Sequence, residues 1–507
     1  MTSLWPTDTV PAFPDEDADG LVGSLVASGV ELSTEDNDIT FNGPASALGE
    51  SAVLALRQNK PAIVAILQRN LARGVVKLGP ASWEQRRMEW RCRADRNPAS
   101  FNVCMRLDLR GPTNPSFLGR FASALVRRYE ILRTHFAWYG EHLLQEVMAP
   151  PRSVLQVLPQ EVLAGASEKE IEDWCARRGG AAFDLAAEAP ARWCYAQVAF
   201  DRAVLLLTLH HIACDGWSID RLLGEFAELC RSNGQSVATA SPVPDVATPI
   251  GFARWELEWL QGERAAGAGA FWSEEFRMAV LAPELTCWGG SPAPGRDAGC
   301  VVRTISAKAT ARAADAARSH AVSEFSLYFA AFAMLLAEET VGRDCAVVIA
   351  VLNRGRQEHE EVVGLCRNAV PIRCSVRAGD TIDIVARRIG ERVERALEFQ
   401  WCPLGLIATW LDAPESVDIR RLPVTFGFSG PVKNFLECGE FSATVHDVFL
   451  GAARAEFSLF VRYRGEQAEA VFEYSRTRMR FKDASLLADK YVRLLAVEVE
   501  RTAPARR

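Results

Sequence analysis

The stretch Leu205-Leu206-Leu207-Thr208-Leu209-His210-His211-Ile212-Ala213-Cys214-Asp215-Gly216-Trp217-Ser218 decides how this chain folds. Its first half is an apolar run that is too short for a helix, which predicts a buried strand. Asp215-Gly216 is a turn signal. From Ser218 onwards apolar residues recur at helical spacing, and Ser218 can cap the new helix. Two histidines therefore lie where a buried strand opens into a loop ahead of a helix.

The histidine pair carries the chemistry of this junction. Side chains alternate along a strand, so His210 and His211 should point in opposite directions. Imidazole is the side chain best suited to moving a proton near neutral pH. Asp215 can fold back under the loop or pair with an arginine elsewhere, and Gly216 permits a close approach of backbone and substrate. Two packed core histidines and a turn aspartate are the alternative, but the HHxxxDG spacing favours an active site.

Bulk properties exclude several classes of protein. The 507 residues suffice for two or three compact units, and the net charge of −7 gives no basic field for nucleic acid. The longest apolar run, 325–337, is too short to span a bilayer, and the N-terminus has no secretory signal pattern. Thirteen scattered cysteines without a CxxC pair indicate reduced thiols, hence a cytoplasmic protein without a zinc site. Because adjacent strand residues diverge, His210, His211 and Asp215 are not expected to bind a metal.

The first residues predict a small separate unit. Residues 1–19 are rich in Pro, Asp and Thr, which predicts disorder. Within residues 20–73 the pattern predicts a short helix that stops at Gly29, strands at 30–32 and 39–41, and two helices. About fifty residues is a marginal length for independent folding.

At His210–Gly216 the chain resembles the HHxxxDG signature of nonribosomal peptide synthetase condensation domains. Further segments match that family's motifs in the family's order, from about residue 80 to residue 500. They are Ser82, Gln85 and Arg87 (SxAQxRL); 128–136, with Tyr129 in place of histidine (RHExLRTxF); 183–185 (FDL); Asn353-Arg354; Gly364, Asn368, Pro371 and Arg373 (VGxFVNTxPxR); 400–403; and 473–475. The chain departs from the first of these motifs where Glu84 replaces an alanine and Glu89 replaces the following aromatic residue. In the VGxFVNTxPxR segment Cys366-Arg367 replaces Phe-Val, so Arg367 could alter the wall of the substrate channel.

The resemblance implies an α/β (α+β) fold with two chloramphenicol-acetyltransferase-like lobes in a V-shaped pseudo-dimer. The lobes would span 80–282 and 300–500, with a Pro- and Gly-rich interlobe linker at 283–299 and a tail at 501–507. His211 would lie in the tunnel between the lobes. Arg354 would form a salt bridge with Asp215, while Asn368 and Arg133 would support the site.

The resemblance also implies roles for the carrier protein and for the residues of the site. A carrier protein would present a donor acyl group on its phosphopantetheine arm, and the chain itself would bind no cofactor. His211 Nε2 would act as general base or as positioner of the acceptor. A backbone N–H near Gly216 would stabilise the oxyanion. Asp215 would hold the loop in shape, and His210 would be structural.

Residues 20–73 resemble the N-terminal β-hairpin docking domains of the TubC-like type, which capture the C-terminal tail of an upstream carrier protein. Ile39 and Phe41 would lie on the docking hairpin, and Arg57, Lys60 and Arg69 could contact the tail. Since the hairpin carries four acidic residues, the tail should not be strongly acidic unless these cations supply the contact. A small capping subdomain is the structural alternative.

No adenylation or carrier domain follows, and no thioesterase GxSxG is apparent. We therefore expect a stand-alone enzyme that makes an amide or an ester, with either a free small molecule or a second carrier protein supplying the acceptor. An epimerisation-type domain and an inactive docking scaffold are the alternatives. Heterocyclisation domains replace the histidines by aspartates, and a simple CoA-dependent acetyltransferase would not need the docking-like N-terminus.

Overall fold

The computed structural model of the chain describes residues 17–94, 98–157, 162–232, 243–277, 284–289, 297–340, 343–411, 423–431, 434–452 and 455–502. Most of the predicted disordered N-terminus, parts of the predicted linker and most of the tail lie outside these ranges. Four sheets are described: a two-stranded hairpin, a three-stranded sheet and two six-stranded sheets.

The N-terminal unit has the predicted order of a helix, a hairpin and two helices. Its elements are α1 (Ala18–Ala27), β1 (Glu31–Glu35), β2 (Asp38–Asn42), α2 (Glu50–Gln58) and α3 (Lys60–Ala72). Helix α1 begins two residues before the predicted boundary at 20, because the Asp17 carboxylate caps it by accepting from Gly20 N at 2.8 Å. The hairpin turns at Asp36 and Asn37, whose φ angles of 50° and 64° give a two-residue turn that matches the strand twist.

The N-terminal unit packs against the domain that follows it and shares its core. Its apolar core continues into Tyr139 and Leu144 of the following domain. Asn70 Nδ2 donates to the Tyr139 hydroxyl at 2.7 Å, and Arg73 pairs with the buried Glu146 at 2.9 Å. A Cβ on Gly23 would lie 2.2 Å from the Tyr139 carbonyl oxygen, so α1 packs directly against the backbone of a neighbouring strand.

The first lobe begins with β3, without a spacer after the N-terminal unit. Its elements are β3 (Val75–Pro80), α4 (Trp83–Ala94), β4 (Asn102–Arg110), α5 (Pro115–Arg128), β5 (Thr134–Tyr139), β6 (His142–Met148), β7 (Leu155–Val157), α6 (Glu168–Gly179), β8 (Ala191–Ala199), β9 (Arg202–His210) and α7 (Gly216–Arg231). Strands β3, β6 and β5 form the three-stranded sheet, and β4, β9, β8 and β7 run side by side in a six-stranded one.

The second lobe is built around a long, almost wholly apolar helix. The elements that follow α7 are α8 (Pro249–Leu260), α9 (Glu263–Glu275), β10 (Ala298–Ile305), α10 (Ala307–Ser319), α11 (Glu324–Glu339), β11 (Asp344–Val351), α12 (Gln357–Glu360), β12 (Asn368–Ser375), α13 (Ile382–Leu397), α14 (Leu404–Trp410), β13 (Val424–Pro431), β14 (Phe435–Glu437), β15 (Ser442–Asp447), β16 (Phe457–Arg464), β17 (Gln467–Ser475) and α15 (Phe481–Thr502). The second sheet has the order β10-β17-β16-β13-β11-β12. Helix α11 is buried on nearly all sides, as its composition requires.

Two segments cross the predicted lobe boundaries. Helix α9 was predicted in the first lobe, within 80–282, but its Trp272 is fully buried in the second-lobe core together with Ala268. Strands β14 and β15, predicted within the second lobe at 300–500, instead complete the first-lobe sheet, where β15 pairs antiparallel with β4. The boundary prediction was therefore wrong at both places, because helix packing and strand pairing are decided by contacts between residues far apart in sequence.

The ends of the predicted linker and tail are ordered parts of the second lobe. Leu285 is buried in the second-lobe core, and β10 starts at Ala298. Helix α15 continues to Thr502, two residues past the predicted end of the lobe. Within the described ranges no single helix has the length and apolar character needed to cross a membrane; α10 and α11 together meet those criteria but are bent by 106°.

Candidate active site

The histidine pair lies where the sequence placed it, between β9 and α7. Strand β9 ends at His210, a single 3-10 turn covers His211–Ala213, and α7 starts at Gly216. The predicted cap was wrong by one turn: Asp215, not Ser218, caps α7, since Asp215 Oδ1 accepts from Ser218 N at 3.0 Å. A carboxylate here also suits the positive end of the helix dipole.

The His211 ring is held in one tautomer by two contacts. Its Nδ1 lies 2.6 Å from the Cys214 carbonyl oxygen, which can only accept, so Nδ1 carries the hydrogen. Its Nε2 lies 3.2 Å from Nη2 of Arg367, and a guanidinium can only donate, so Nε2 is the acceptor. His211 is buried, with 5% of its surface exposed. The arrangement gives one imidazole nitrogen with a lone pair directed at a cationic side chain.

His210 faces a different environment. Its Nδ1 accepts from Ile212 N at 3.2 Å, and its Nε2 lies 3.4 Å from the Cys92 sulfur. The ring meets the Phe183 ring edge-on, with 6.0 Å between centroids. These contacts tie His210 to the turn and the core around it, which is the geometry of a structural residue.

The Asp215 carboxylate joins the two lobes. Arg354 Nη1 and Nη2 donate to Oδ2 and Oδ1 at 2.8 and 3.0 Å, and the side chains of both residues are 2% exposed. The backbone N–H groups of Cys366 and Arg367 donate to Oδ2 at 3.1 Å each. The expected ion pair between Asp215 and Arg354 is thus present. With its oxygens engaged in this way, the carboxylate is suited to fixing the loop and not to accepting a proton.

Gly216 leaves open space beside the histidine turn. A Cβ added at Gly216 would meet no atom within 4 Å. Its N–H is among the first amides of α7, which helix geometry leaves without an intrahelical acceptor. An anionic oxygen approaching this position would meet a backbone donor at a helix N-terminus.

Glu84, which replaces the alanine of the family motif, is a buried carboxylate near the site. Arg87 Nε and Nη2 donate to it at 2.8 and 2.7 Å. Burial alone would raise the pKa of Glu84, but the attraction and hydrogen bonds of Arg87 lower that pKa below its ordinary value. The charges of Arg367 and Arg91 add to this lowering, which puts Arg367 within electrostatic reach of both Glu84 and His211.

The predicted supporting residues bind backbone carbonyls and lie apart from the His211 ring. Asn368 Nδ2 donates to the carbonyl oxygens of Gln400 and Cys402 at 2.8 and 2.5 Å, which fixes the start of β12. Arg133 donates to the carbonyl oxygens of Val126 and Met148 at 3.2 and 2.5 Å. Arg133 therefore braces the first lobe and does not touch the His211 turn.

Sequence reasoning missed Glu256 on α8, a buried carboxylate behind the site. Its Oε2 accepts from Trp83 N at 2.7 Å, and the residue is 3% exposed. Burial raises the pKa of Glu256 to about 7, against the opposing effects of the Trp83 hydrogen bond and the Arg86 charge. In the sequence it is one of two glutamates on an apolar helix, a weak signal.

The predicted docking residues lie on the N-terminal unit. Ile39 is half-buried, and Phe41 is exposed on β2. Lys60, at the start of α3, forms an ion pair with Asp38 on β2, and Arg57 is exposed on α2. Within the described ranges no group of His, Cys, Asp or Glu is placed to hold a metal ion.

Known proteins match this architecture over most of its length. The condensation-domain family model matches residues 77–491. Malpinin synthetase of Mortierella alpina is 25% identical over 407 residues, or 78% of this chain, which spans only 5% of that synthetase.

Two solved structures show the same fold. The X-domain from teicoplanin biosynthesis has a TM-score of 0.72 and 24% identity, covering 83% of this chain and 95% of that one. The first condensation domain of the calcium-dependent antibiotic synthetase, in complex with a substrate analogue, has a TM-score of 0.71 and 19% identity, covering 85% and 98%. The predicted α/β fold of two chloramphenicol-acetyltransferase-like lobes is confirmed. With its histidine turn between paired lobes and a family match over most of its length, the chain belongs to the condensation-domain family of nonribosomal peptide synthetases.

Proposed function

We propose that this protein transfers an acyl group from the phosphopantetheine arm of a carrier protein to an amine or hydroxyl acceptor. The observation that carries the proposal is the tautomer of His211. Because Nδ1 donates to the Cys214 carbonyl, Nε2 is the nitrogen that can accept a hydrogen from an incoming nucleophile. The family to which the chain belongs forms amide and ester bonds.

The reaction balances without an external reagent. The acceptor N–H or O–H donates to His211 Nε2 while its nitrogen or oxygen adds to the thioester carbonyl carbon. The C–S bond then breaks, and the hydrogen passes to the leaving sulfur, which gives an amide or ester and the thiol of the arm. Since a thioester is already activated, positioning supplies much of the rate.

The remaining residues would act around that step. The Gly216 N–H would donate to the oxyanion that forms on the carbonyl oxygen. Asp215 would hold the turn through its hydrogen bonds to Arg354 and to the 366–367 backbone, and His210 would be a packing residue.

We also propose that the N-terminal unit docks the C-terminal tail of an upstream carrier protein along β2. Strand β2 is exposed along most of its length, and Phe41 is 39% exposed. Lys60 is paired with Asp38, and Arg69 with Asp19 at 3.1 Å, so two of the predicted cationic contacts already have acidic partners. Glu35 and Asp36 are exposed at the hairpin turn. This charge pattern favours a neutral or basic tail.

A second candidate is a condensation-like protein without transfer activity. The contact of Arg367 with His211 Nε2 favours it, because the nitrogen that transfer requires already has a donor. Under this reading the chain would recruit carrier proteins and leave their thioesters intact.

Incubation with an acyl-loaded carrier protein separates the candidates. Intact-protein mass spectrometry measures the acyl group on the carrier. We expect the carrier to lose this group and a product that contains the acceptor to form. Product formed from free amines or alcohols supports release onto a small molecule, whereas product formed only with a second loaded carrier supports extension. A carrier that keeps its acyl group with every acceptor, yet still binds, refutes transfer and supports the recruiting role.

A further inference from the structure

The second-lobe sheet turns one face towards its helices and the other face away from them. Phe426 of β13 stacks on Phe329 of α11 with 4.7 Å between the ring centroids, and Phe472 of β17 meets Tyr491 of α15 at 5.6 Å. Side chains alternate along a strand, so the residues on either side of Phe426 and Phe472 point away from these helices. We call this second side of the sheet the open face.

An apolar row of residues crosses the open face from β11 to β10. Phe460 is 42% exposed and Val302 is 45% exposed. A Cβ at Gly427 would lie 2.4 Å from Phe460 Cδ2, so the phenyl ring covers the glycine. With about 4.8 Å between neighbouring strands, the row is roughly 19 Å long. We call this row the apolar stripe, and its members are Ala350, Gly427, Phe460, Val471 and Val302.

Polar side chains border the apolar stripe on both sides and bind one another. On one side Thr425 Oγ1 donates to Ser458 Oγ at 2.9 Å. On the other side Arg462 donates to Glu469 at 2.9 Å and to Asp447 at 2.6 Å. Strands β13, β16 and β17 each have a neighbour on both edges, so the sheet uses their backbone groups. A polar chain would lose water here without comparable hydrogen bonds in return, whereas a hydrocarbon chain requires none.

The β11 end of the apolar stripe lies close to the interlobe ion pair. Ala350 is exposed, and Leu352, two residues further along the chain, is 54% exposed. Arg354 then donates to Asp215, which holds the histidine turn. The four residues from Ala350 to Arg354 span at most about 13 Å. The stripe therefore starts within a short distance of the proposed active site.

The polar border of the stripe connects the open face to the first lobe. Asp447, which accepts from Arg462, lies at the end of β15 in the first-lobe sheet. Burial and the nearby charge of Asp447 raise the pKa of Asp220 on α7. Asp220 lies four residues after Gly216, on the same face of that helix. An acyl group whose carbonyl oxygen accepts from the Gly216 N–H would therefore have the border of the open face beside it.

We propose that the apolar stripe binds the acyl chain of the donor thioester and that this chain is a long hydrocarbon chain. One side of the chain packs on Phe460 and its neighbours, and the chain runs across the strands from β11 towards β10. The donor's place at His211 rests on the proposed function. The site and the chemistry of the chain rest on the exposed residues of the sheet.

Binding of unreactive acyl analogues tests the proposal without turnover. Isothermal titration calorimetry of the full chain is carried out with pantetheine analogues in which an amide replaces the thioester, from hexanoyl to tetradecanoyl and below micelle-forming concentrations. Full burial of a methylene strengthens binding roughly fourfold, and contact on one side only about half as much on a logarithmic scale. We therefore expect affinity to rise by about twofold for each added methylene. An affinity that does not change with chain length overturns the proposal.

Variants along the stripe locate the chain. Phe460→Ser should weaken binding of the tetradecanoyl analogue by about fivefold, with a smaller loss for each shorter chain. Val302→Ser, at the far end of the stripe, should weaken binding only of chains longer than those that first respond to Phe460→Ser. The exposed Val302 also serves if Phe460→Ser does not fold. Phe481→Ser removes an aromatic that is 65% exposed on α15 and is the matched control, with unchanged binding. Equal losses in all three variants contradict the assignment.

Photocross-linking and transfer assays give two further measurements. A diazirine at the end of the tetradecanoyl chain should label peptides from 298–305 and 457–475, and labels confined to the first lobe or to the N-terminal unit would refute the site. With acyl-loaded carrier proteins, kcat/KM should rise with donor chain length. A length dependence for alkylamine acceptors, but not for donors, would overturn the choice of the donor. Length-dependent binding at the stripe without any transfer refutes the proposed function and leaves the stripe standing, whereas transfer that ignores donor length refutes the stripe alone.

Discussion

Asp215 and Arg354 meet across the two lobes through a pair of parallel hydrogen bonds, at 2.8 and 3.0 Å, with both side chains 2% exposed. The same carboxylate caps α7 and receives two backbone amides from the 366–367 segment. The buried Asp215 side chain therefore caps the helix that follows the histidine turn and also binds the second lobe.

Removal of Arg354 should destabilise the protein strongly. Arg354→Ala leaves a buried carboxylate without its countercharge, which typically costs about 3–5 kcal/mol. Chemical denaturation followed by tryptophan fluorescence measures the loss. The partly exposed pair of Arg303 and Asp489 is the control, and Arg303→Ala should cost less than about 1 kcal/mol. Equal losses in the two variants would contradict a special role for the interlobe pair.

Substitution of His211 should abolish turnover and spare folding. His211→Gln removes the Nε2 acceptor, and loss of a positioned acid–base group typically lowers kcat by roughly 10²- to 10⁴-fold. Carrier binding, measured by surface plasmon resonance, should be unchanged. His210→Gln should instead lower the melting temperature, because His210 accepts from Ile212 N and packs against Phe183. Full activity in His211→Gln would refute the assignment.

The buried Glu256 carboxyl should make stability depend on pH. Its pKa of about 7 in the folded state exceeds the value of about 4.3 in an unfolded chain. Its contribution is therefore complete below about pH 4.3 and is lost as the pH rises through about 7. Over that range the wild type should lose about 4 kcal/mol relative to Glu256→Gln, which keeps an oxygen for the Trp83 amide.

The comparison requires the Glu256→Gln variant, because a histidine acts in the opposite direction. Burial lowers the pKa of His359 to about 4, so its contribution is lost as the pH falls below about 6.5. The two effects offset each other in the wild type. Denaturation midpoints of wild type and Glu256→Gln that run parallel from about pH 4 to pH 8 would show that Glu256 does not titrate in this range.

A larger residue at position 23 should destabilise the packing of α1 against β5. Gly23→Ala places a methyl group 2.2 Å from the Tyr139 carbonyl oxygen, a backbone atom with little room to move. Overpacking of this kind typically costs about 1–3 kcal/mol, and we expect faster hydrogen exchange in α1 and easier proteolysis after α3. Gly49→Ala is the control, since its Cβ would meet nothing within 4 Å. Identical exchange in both variants would contradict this packing.

The exposed Phe41 on β2 should affect the transfer rate only when the carrier protein has its C-terminal tail. Phe41→Ser should reduce transfer from a carrier that retains its C-terminal tail, because the hairpin loses an apolar contact. Transfer from a tail-less carrier should be unaffected. Phe200→Ser removes an aromatic that is 97% exposed on the first lobe and should change neither rate. A loss that is the same with and without the tail would refute docking at β2.

Local patterns predicted the elements around the site well. The apolar run before His210 and the helical period after Asp215 are carried by neighbouring residues, so strand and helix could be predicted from the sequence. The cap was placed at Ser218 and not at Asp215 because both residues satisfy the same preference within one turn. The interlobe ion pair was predicted only because Asn353-Arg354 resembles a family motif.

Contacts between distant segments could not be predicted in the same way. The pairing of β15 with β4 joins residues more than three hundred positions apart, and the alternation within each strand does not specify its partner. Trp272 would be equally apolar in either lobe. The contact between Arg367 and His211 depends on the reach of a long side chain from a loop, and the sequence indicated only that Arg367 departs from the family motif.

The strand pair β14–β15 has a consequence for recombination between assembly lines. A chimera that joins the front half of one such protein to the back half of another would receive two foreign strands, β14 and β15, in the sheet that presents the histidine turn. Mismatched side chains on β15 would disturb its partner β4 and, through β4, the strand β9. If both lobes are exchanged together, with one crossover before the first lobe and one after the second, every strand keeps its parental neighbours.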